Sequence, residues 1–304
     1  MVKYITTAVA LKCFSLNSFT RGIYRKLGNR VGGKRRRVGV MPGFYPERVK
    51  RITRLVKQHA IVKDGDRILE LGTGWLHWEA ITLRLFFDLE AVLFDVWDNR
   101  QLGGLKNYLK QLRPLLSTGF ELSDAELRRA QSLIDSIIKV ESFAELYQLL
   151  GFTYAVESSG SLDQFPNNSF QLVVSGGVLE HVDRRALPTL IDETRRILKP
   201  GGWAVHSIDT SDHLSHYDEK ASKKLYLGFS EFRWNCLCEN EVQNINRVQR
   251  GEWLELFLSR GFVLVEEDAR RVDISGLRIA DRFAQMDRQD LACTVLRFAF
   301  QKPA

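Results

Sequence analysis

Apolar positions follow two periods along most of the chain. In residues 46–60 (PERVKRITRLVKQHA), Val49, Ile52, Leu55 and Val56 recur at helical spacing, and Pro46 suits a first helical turn. Residues 66–71 (DRILEL) predict a buried strand that ends in Gly72-Thr73-Gly74. A helix over 76–88 and a second strand over 91–96 (AVLFDV) follow. Residues 100–150 are largely helical: Ser123-x-x-Glu126 and Ser142-x-x-Glu145 both have the capping-box pattern, in which serine and glutamate satisfy free amides at a helix start. Strands are predicted at 152–156 (FTYAV), 171–175 (QLVVS) and 203–208 (WAVHSI). Between the last two lies an amphipathic helix, 184–198, ended by Lys199-Pro200-Gly201-Gly202. Residues 209–250 have no strong period and read as an insertion. A helix at 252–260 and strands at 262–267 and 292–301 complete the chain. Strands alternating with helices imply an α/β fold, a mainly parallel sheet with helices on both faces.

Residues 1–45 have no clean period and are interrupted by Gly28, Gly32, Gly33 and Gly43, which predicts an arm with one short helix. Charge sharpens this picture. Residues 1–60 hold fifteen Lys/Arg and one acid, Glu47, so the net charge of +7 is an N-terminal feature, densest at Lys34-Arg35-Arg36-Arg37. Such a block is expected to be a solvated arm, able to meet an anionic membrane surface or nucleic acid. The domain organisation read from the sequence is therefore a basic arm, 1–45, and one domain, 46–304, with insertions at about 100–150 and 209–250.

Composition adds limits. A chain of 304 residues can bury one large α/β core with insertions. No run approaches the roughly 20 apolar residues needed to span a bilayer. The stretch from Tyr4 to Leu16 is too short to span and lacks a cleavage site, so no secretory signal is expected. Of Cys13, Cys236, Cys238 and Cys293, only Cys236 and Cys238 are close, and no second pair follows at zinc spacing. Reduced thiols in a cytoplasmic protein are expected.

The chemistry begins at Glu70-Leu71-Gly72-Thr73-Gly74, a strand-to-helix turn whose glycines allow close approach of a ligand to backbone. A plain tight turn is the alternative. Asp95, at the end of the next strand, can accept hydrogen bonds from two ribose hydroxyls, with Asp98 as a competitor. A dinucleotide fold would want G-x-G-x-x-G, and here the third position is His77. Residues 165–182 read FPNNSFQLVVSGGVLEHV and 197–202 read ILKPGG. With these, residues 64–208 resemble the class I S-adenosylmethionine (SAM)-dependent methyltransferases of the ubiquinone/menaquinone type. Their pattern runs E/D-x-G-x-G-x-G, an acidic strand end, P-D-N-S-F-D-h-V, L-E-H-V and L-K-P-G-G. The chain departs at Leu76, where the family has a third glycine, and at Gln171, where it has aspartate. The acid beside adenine falls near Ser159, with Asp163 displaced from it.

The resemblance implies a three-layer Rossmann-like fold with a mostly parallel seven-stranded sheet, its last strand antiparallel, and helical insertions that cap the pocket. It implies SAM as cofactor, with Glu70, Gly72, Thr73, Gly74, Asp95, Ser159 and Gly177 toward it; Glu70 would act indirectly on the methionine end. Glu180 and His181 would border the methyl donor; packing of both residues is the alternative. Beyond the fifth strand, residues 209–218 hold two histidines and three aspartates. His213 there is a candidate general base, with His181 as the second candidate. Two histidines and an aspartate could instead bind a cation. Leu227–Asn235 is similar to methyltransferases found among bacterial surface-polysaccharide genes, which points to a glycan or other small-molecule acceptor. No N-P-P-Y or D-P-P-Y box and no Pro-Cys pair is present, which argues against base amines and cytosine C5. The expected reaction is methyl transfer to oxygen; the rivals are an RNA methyltransferase using the basic arm and a non-catalytic SAM-binding scaffold.

Overall fold

A computed structural model describes residues 2–304. Helices α1 (Val2–Phe14), α2 (Ser18–Val38) and α3 (Phe44–His59) precede β1 (Arg67–Leu71), α4 (Trp78–Arg84) and β2 (Glu90–Asp95). Then come α5 (Leu102–Gly119), α6 (Asp124–Lys139), α7 (Phe143–Leu150), β3 (Phe152–Val156) and β4 (Phe170–Gly176). Helix α8 (Leu187–Ile197) leads into β5 (Leu198–Asp209), followed by α9 (Glu231–Leu237), α10 (Arg250–Leu258), β6 (Val263–Arg271), α11 (Arg288–Leu291) and β7 (Cys293–Gln301).

The fold is α/β. Seven strands lie in the order β3-β2-β1-β4-β5-β7-β6. β1 pairs in parallel with β2 and β4, β2 in parallel with β3, and β6 antiparallel with β7. The strand order reverses between β1 and β4, and ligands of open α/β sheets gather at the carboxyl ends of strands at such a point. By contacts the chain divides into two compact units.

One unit comprises residues 28–175, 193–205 and 302–304. Here the buried side of α3 is the predicted one: Val49, Ile52, Leu55 and Val56 are all in the core. Ser123 and Glu126 form a complete capping box at α6. At α7, Ser142 accepts the Glu145 amide, whereas the Glu145 carboxylate takes the amide of Glu141. The Lys199–Gly202 segment, expected to be a stop between helix and strand, lies within β5. Its extra length has a partner: the Gly201 amide donates to the Lys302 carbonyl, and the Lys302 amide to that of Gly202.

Lys34–Arg37 corrects the expectation of a loose arm, because it belongs to the long helix α2. Each glycine in a helix interior costs about 1 kcal/mol relative to alanine, and contacts invisible in the local sequence offset this. The Arg36 guanidinium lies 3.6 Å from the Trp75 ring centroid and donates to Gln101. A Cβ on Gly104 would come within 3.0 Å of Arg36, so glycine in α5 permits the close approach.

The other unit comprises residues up to Leu27, Gly176–Asp192 and His206–Gln301. It has a core of its own, in which Tyr4, Ala8 and Leu11 of α1 pack with Leu214, Tyr226, Leu227, Trp234 and Phe283. α1 is thus a second helix in the region expected to be an arm. It is anchored by Tyr4, whose hydroxyl donates to Asp212 Oδ2 at 2.7 Å. The 209–250 segment forms α9 and two short 3-10 turns, His213–Tyr217 and Leu225–Gly228. Within the segment Lys224 is fully buried, and its ammonium reaches the Thr210 and Cys293 carbonyls, Gln249 and Tyr226. All four cysteines are free. Among the described residues, no helix is long and apolar enough to cross a membrane.

Candidate active site

In the first unit, β1 delivers the chain into a turn with Gly72 at φ +67° and Gly74 at φ +59°. The amides of Gly72 and Thr73 both donate to the Phe94 carbonyl, which ties the turn to the end of β2. A Cβ on Gly74 would meet only the Gly72 carbonyl, 3.8 Å away, so the turn leaves open space beside its backbone. Asp95 is buried, and its Oδ2 accepts the Gly74 amide at 2.7 Å while Oδ1 accepts the Val96 amide at 2.7 Å. Burial raises the Asp95 pKa, and the amides of Gly74, Val96 and Trp97 oppose the rise. A carboxylate has about four acceptor sites, and with the longer Trp97 contact at 3.4 Å three amides use this one, so capacity for one ribose hydroxyl is left. Asp98 is the poorer candidate, because Arg100 grips both its oxygens.

Glu70 is buried, and its Oε2 accepts the Ala80 amide at 2.9 Å, fixing the start of α4. Burial and the nearby Glu79 push its pKa well above the usual carboxylate range. In this chain it ties the end of β1 to the first turn of α4. Thr73 is buried, with its hydroxyl 2.6 Å from His77 Nδ1. His77 escaped the sequence reading, which noted it only as a missing glycine. It adopts φ +51°, and its Nε2 lies 2.9 Å from the Tyr147 hydroxyl. Burial pushes its pKa down to about 3, so the ring is a neutral structural post.

Ser159 is exposed, and its hydroxyl donates to Glu157 at 2.9 Å. Glu157, two residues earlier, is the carboxylate that Ser159 meets. The Glu157 amide donates to the Asp95 carbonyl, so the end of β3 lies beside the Asp95 backbone. The open glycine turn, the buried Asp95 and the acid of this loop suit the parts of SAM: an uncrowded backbone for the methionine and ribose, and carboxylates for hydroxyl and amine donors.

The second unit holds Gly177, at φ +74°, and the two histidines. A 3-10 turn, Leu179–His181, follows β4, and His213 opens another after β5. The structure brings His181 and His213 together, with ring centroids 5.1 Å apart, and His216 stacks 5.6 Å from His213. Glu180 is buried beside them. Its Oε1 accepts the Asp209 amide at 3.1 Å, and burial raises its pKa to about 7. His213 Nε2 lies 3.7 Å from Asp209 Oδ2. Burial, then the neighbouring His181, lowers its pKa to about 4, so the ring is neutral at pH 7. Arg247 nearby was also missed: its guanidinium is buried, paired with Glu231 and 4.5 Å from the Trp234 ring centroid. No sequence pattern marked it.

Residues 41–267 match the family model of a methyltransferase domain. No curated protein matches the chain in sequence. Among solved structures, the chain is similar to a SAM-dependent methyltransferase from Methanosarcina mazei, with 15% identity over 81% of this chain and 97% of that one, and a TM-score of 0.43. It is also similar to phosphoethanolamine N-methyltransferase 2 of Haemonchus contortus in complex with SAM, with 17% identity over 83% of this chain and 52% of that one, and a TM-score of 0.46. The family match spans the glycine turn, the Asp95 strand end and the Leu179–Val182 and Leu198–Gly202 motifs, and the chain belongs to the methyltransferase domain family as a class I SAM-dependent methyltransferase.

Proposed function

We propose that the chain transfers the methyl group of SAM to a hydroxyl oxygen of a small-molecule or glycan acceptor, with His213 and His181 handling the hydroxyl proton. The observation that carries this reading is the half-buried His213 ring beside His181, with a buried Nε2 that has no hydrogen-bond partner among the described residues. A neutral hydroxyl is a poor nucleophile. Losing its proton as the O–CH3 bond forms and the S–CH3 bond breaks lowers the barrier, and the thioether product leaves uncharged. Groups placed to handle such a proton typically contribute about 10²–10⁴-fold. The test is incubation of protein and SAM with saccharides, small alcohols and a metabolite extract, read as a mass gain of one CH2. Steady-state kinetics of His213→Ala then follow on the acceptor found. The expected outcome is an ether product and a kcat loss far larger than any change in SAM affinity. Methylation only at nitrogen or carbon, or full kcat in the variant, overturns it.

A second reading concerns the setting of the enzyme. α2 exposes Phe19, Ile23, Leu27 and Val31 at four-residue spacing, with exposed Lys26, Arg30, Lys34 and Arg37 interleaved. Phosphate contacts to RNA need charge alone, whereas an exposed apolar row flanked by cations suits an anionic lipid surface. The enzyme would then act in the cytoplasm at a membrane face. Co-sedimentation with vesicles of anionic phospholipid is expected, with little binding to neutral vesicles and a marked loss in Leu27→Ser/Val31→Ser. Binding unchanged in that variant, or turnover that depends on added RNA, overturns the lipid reading.

A further inference from the structure

The geometry points to a divalent-cation site made by Glu180, His181 and His213. Each offers one ligand atom, and the three atoms lie within 4.8 Å of one another. Two strands set this up: β4 ends at the turn that carries Glu180 and His181, and β5 ends just before the turn that carries His213.

Three observations favour a cation over a merely packed cluster. First, Glu180 is only 3% exposed, yet its Oε2 has no hydrogen-bond partner among the described residues. Second, His213 Nε2 is buried and equally unpartnered, with Asp209 Oδ2 too far for a hydrogen bond at 3.7 Å. Leaving a buried polar group unpaired costs about 1–3 kcal/mol, and a shared cation would satisfy both atoms at once. Third, His181 Nδ1 lies 2.6 Å from the Asn244 carbonyl. A carbonyl accepts only, so Nδ1 carries the proton and Nε2 keeps its lone pair, which is the usual way a backbone carbonyl orients a metal-binding histidine.

The support extends outward. The Asn246 amide donates to the Glu180 carbonyl at 2.8 Å, and the Asn246 side chain donates to the carbonyls of Leu179 and Val182 at 2.8 and 3.1 Å. These bonds hold the turn in the shape that keeps Glu180 and His181 on one side. Two imidazoles and one carboxylate suit Zn²⁺ and its first-row neighbours better than Mg²⁺, which prefers oxygen throughout. Three protein ligands leave a position open, as in catalytic sites. The use of that position rests on the proposed hydroxyl acceptor: a Lewis acid there would lower the pKa of the hydroxyl. With the cation bound, His181 and His213 would act on the hydroxyl proton through the metal and not as bases, and the released proton would pass to water as the methyl group is transferred.

The test uses the full chain, stripped with chelator, desalted and titrated with Zn²⁺ by calorimetry. One equivalent per chain is expected, with affinity weakened at least tenfold in His181→Ala and in Glu180→Gln. The latter keeps the size of the side chain and an acceptor for the Asp209 amide, and circular dichroism checks both variants. His216→Ala is expected to retain Zn²⁺ binding, since His216 is not among the three ligands. Absence of saturable Zn²⁺ binding, or binding that survives both substitutions, overturns the site. Hydroxyl methylation is assayed on the same preparations. Zn²⁺ binding without ether formation leaves the site standing and removes the acceptor reading; ether formation untouched by chelator, with no Zn²⁺ bound, does the reverse.

Discussion

Gly74 donates its amide to Asp95 Oδ2 at 2.7 Å, so the left-handed glycine turn after β1 and the carboxylate at the end of β2 are one assembly. Asp95 thus shapes the turn, and its remaining acceptor capacity is what a cofactor hydroxyl would use. Asp95→Ala is expected to weaken SAM binding by about 1.5–3 kcal/mol, the range for a hydrogen bond to a charged group. Asp95→Asn keeps an oxygen for the Gly74 amide and is expected to lose less. Calorimetry with SAM and with its demethylated product checks both variants. Equal affinity for Asp95→Ala and the unaltered chain removes Asp95 from the cofactor site.

Glu70 allows the turn to be tested through stability instead of binding. Its Oε2 accepts the Ala80 amide, while burial and Glu79, itself paired with Arg48, push its pKa up. A carboxyl so raised gains little from its charge. Glu70→Gln can still accept from Ala80 and is expected to be near neutral in urea denaturation. Glu70→Ala leaves the amide unpaired and is expected to cost about 1–3 kcal/mol. A Glu70→Gln loss as large as that of Glu70→Ala would show that the charge itself is needed.

Much of this arrangement is legible in the sequence where the informative contacts are local. β1, β2 and β4 follow from apolar runs, because strands buried along nearly their whole length leave a continuous signature; β3 (Phe152–Val156), only partly buried, still coincides with its predicted span. The glycine turn and Asp95 are legible because positive φ and a strand-end acid leave residue-type signals. α1 and α2 were illegible as a pair because what holds them is distant. Tyr4 meets Asp212 across 208 positions, and Arg36 meets Trp75 and Gln101. The contact of Glu180 with Asp209, and of His181 with His213, depends on two strand ends arriving together, which no local period encodes.

Two buried histidines make the stability of the fold depend on pH. His77 and His206 are both fully buried, and burial holds each pKa down to about 3; Arg100 adds to the effect at His77. In the unfolded chain each titrates near 6.5. Between about pH 3 and 6.5 the unfolded state therefore binds protons that the folded state does not, and stability rises with pH across that window. The contribution is complete above pH 6.5 and is lost as pH falls toward 3. Glu180 and Asp212 work in the opposite sense, since burial raises them to about 7 and about 6, and they blunt the slope in the unaltered chain. A comparison with His206→Leu isolates one histidine. The side chain packs against Phe257 and Phe298, at centroid distances of 5.6 and 5.8 Å, so an apolar replacement of similar size is accommodated. Urea denaturation from pH 5 to 6.5 is the measurement. The unaltered chain is expected to lose more stability than His206→Leu on acidification, by up to about 1.4 kcal/mol per pH unit for one proton. Parallel stability curves for the two proteins would show that His206 titrates alike in the folded and unfolded states.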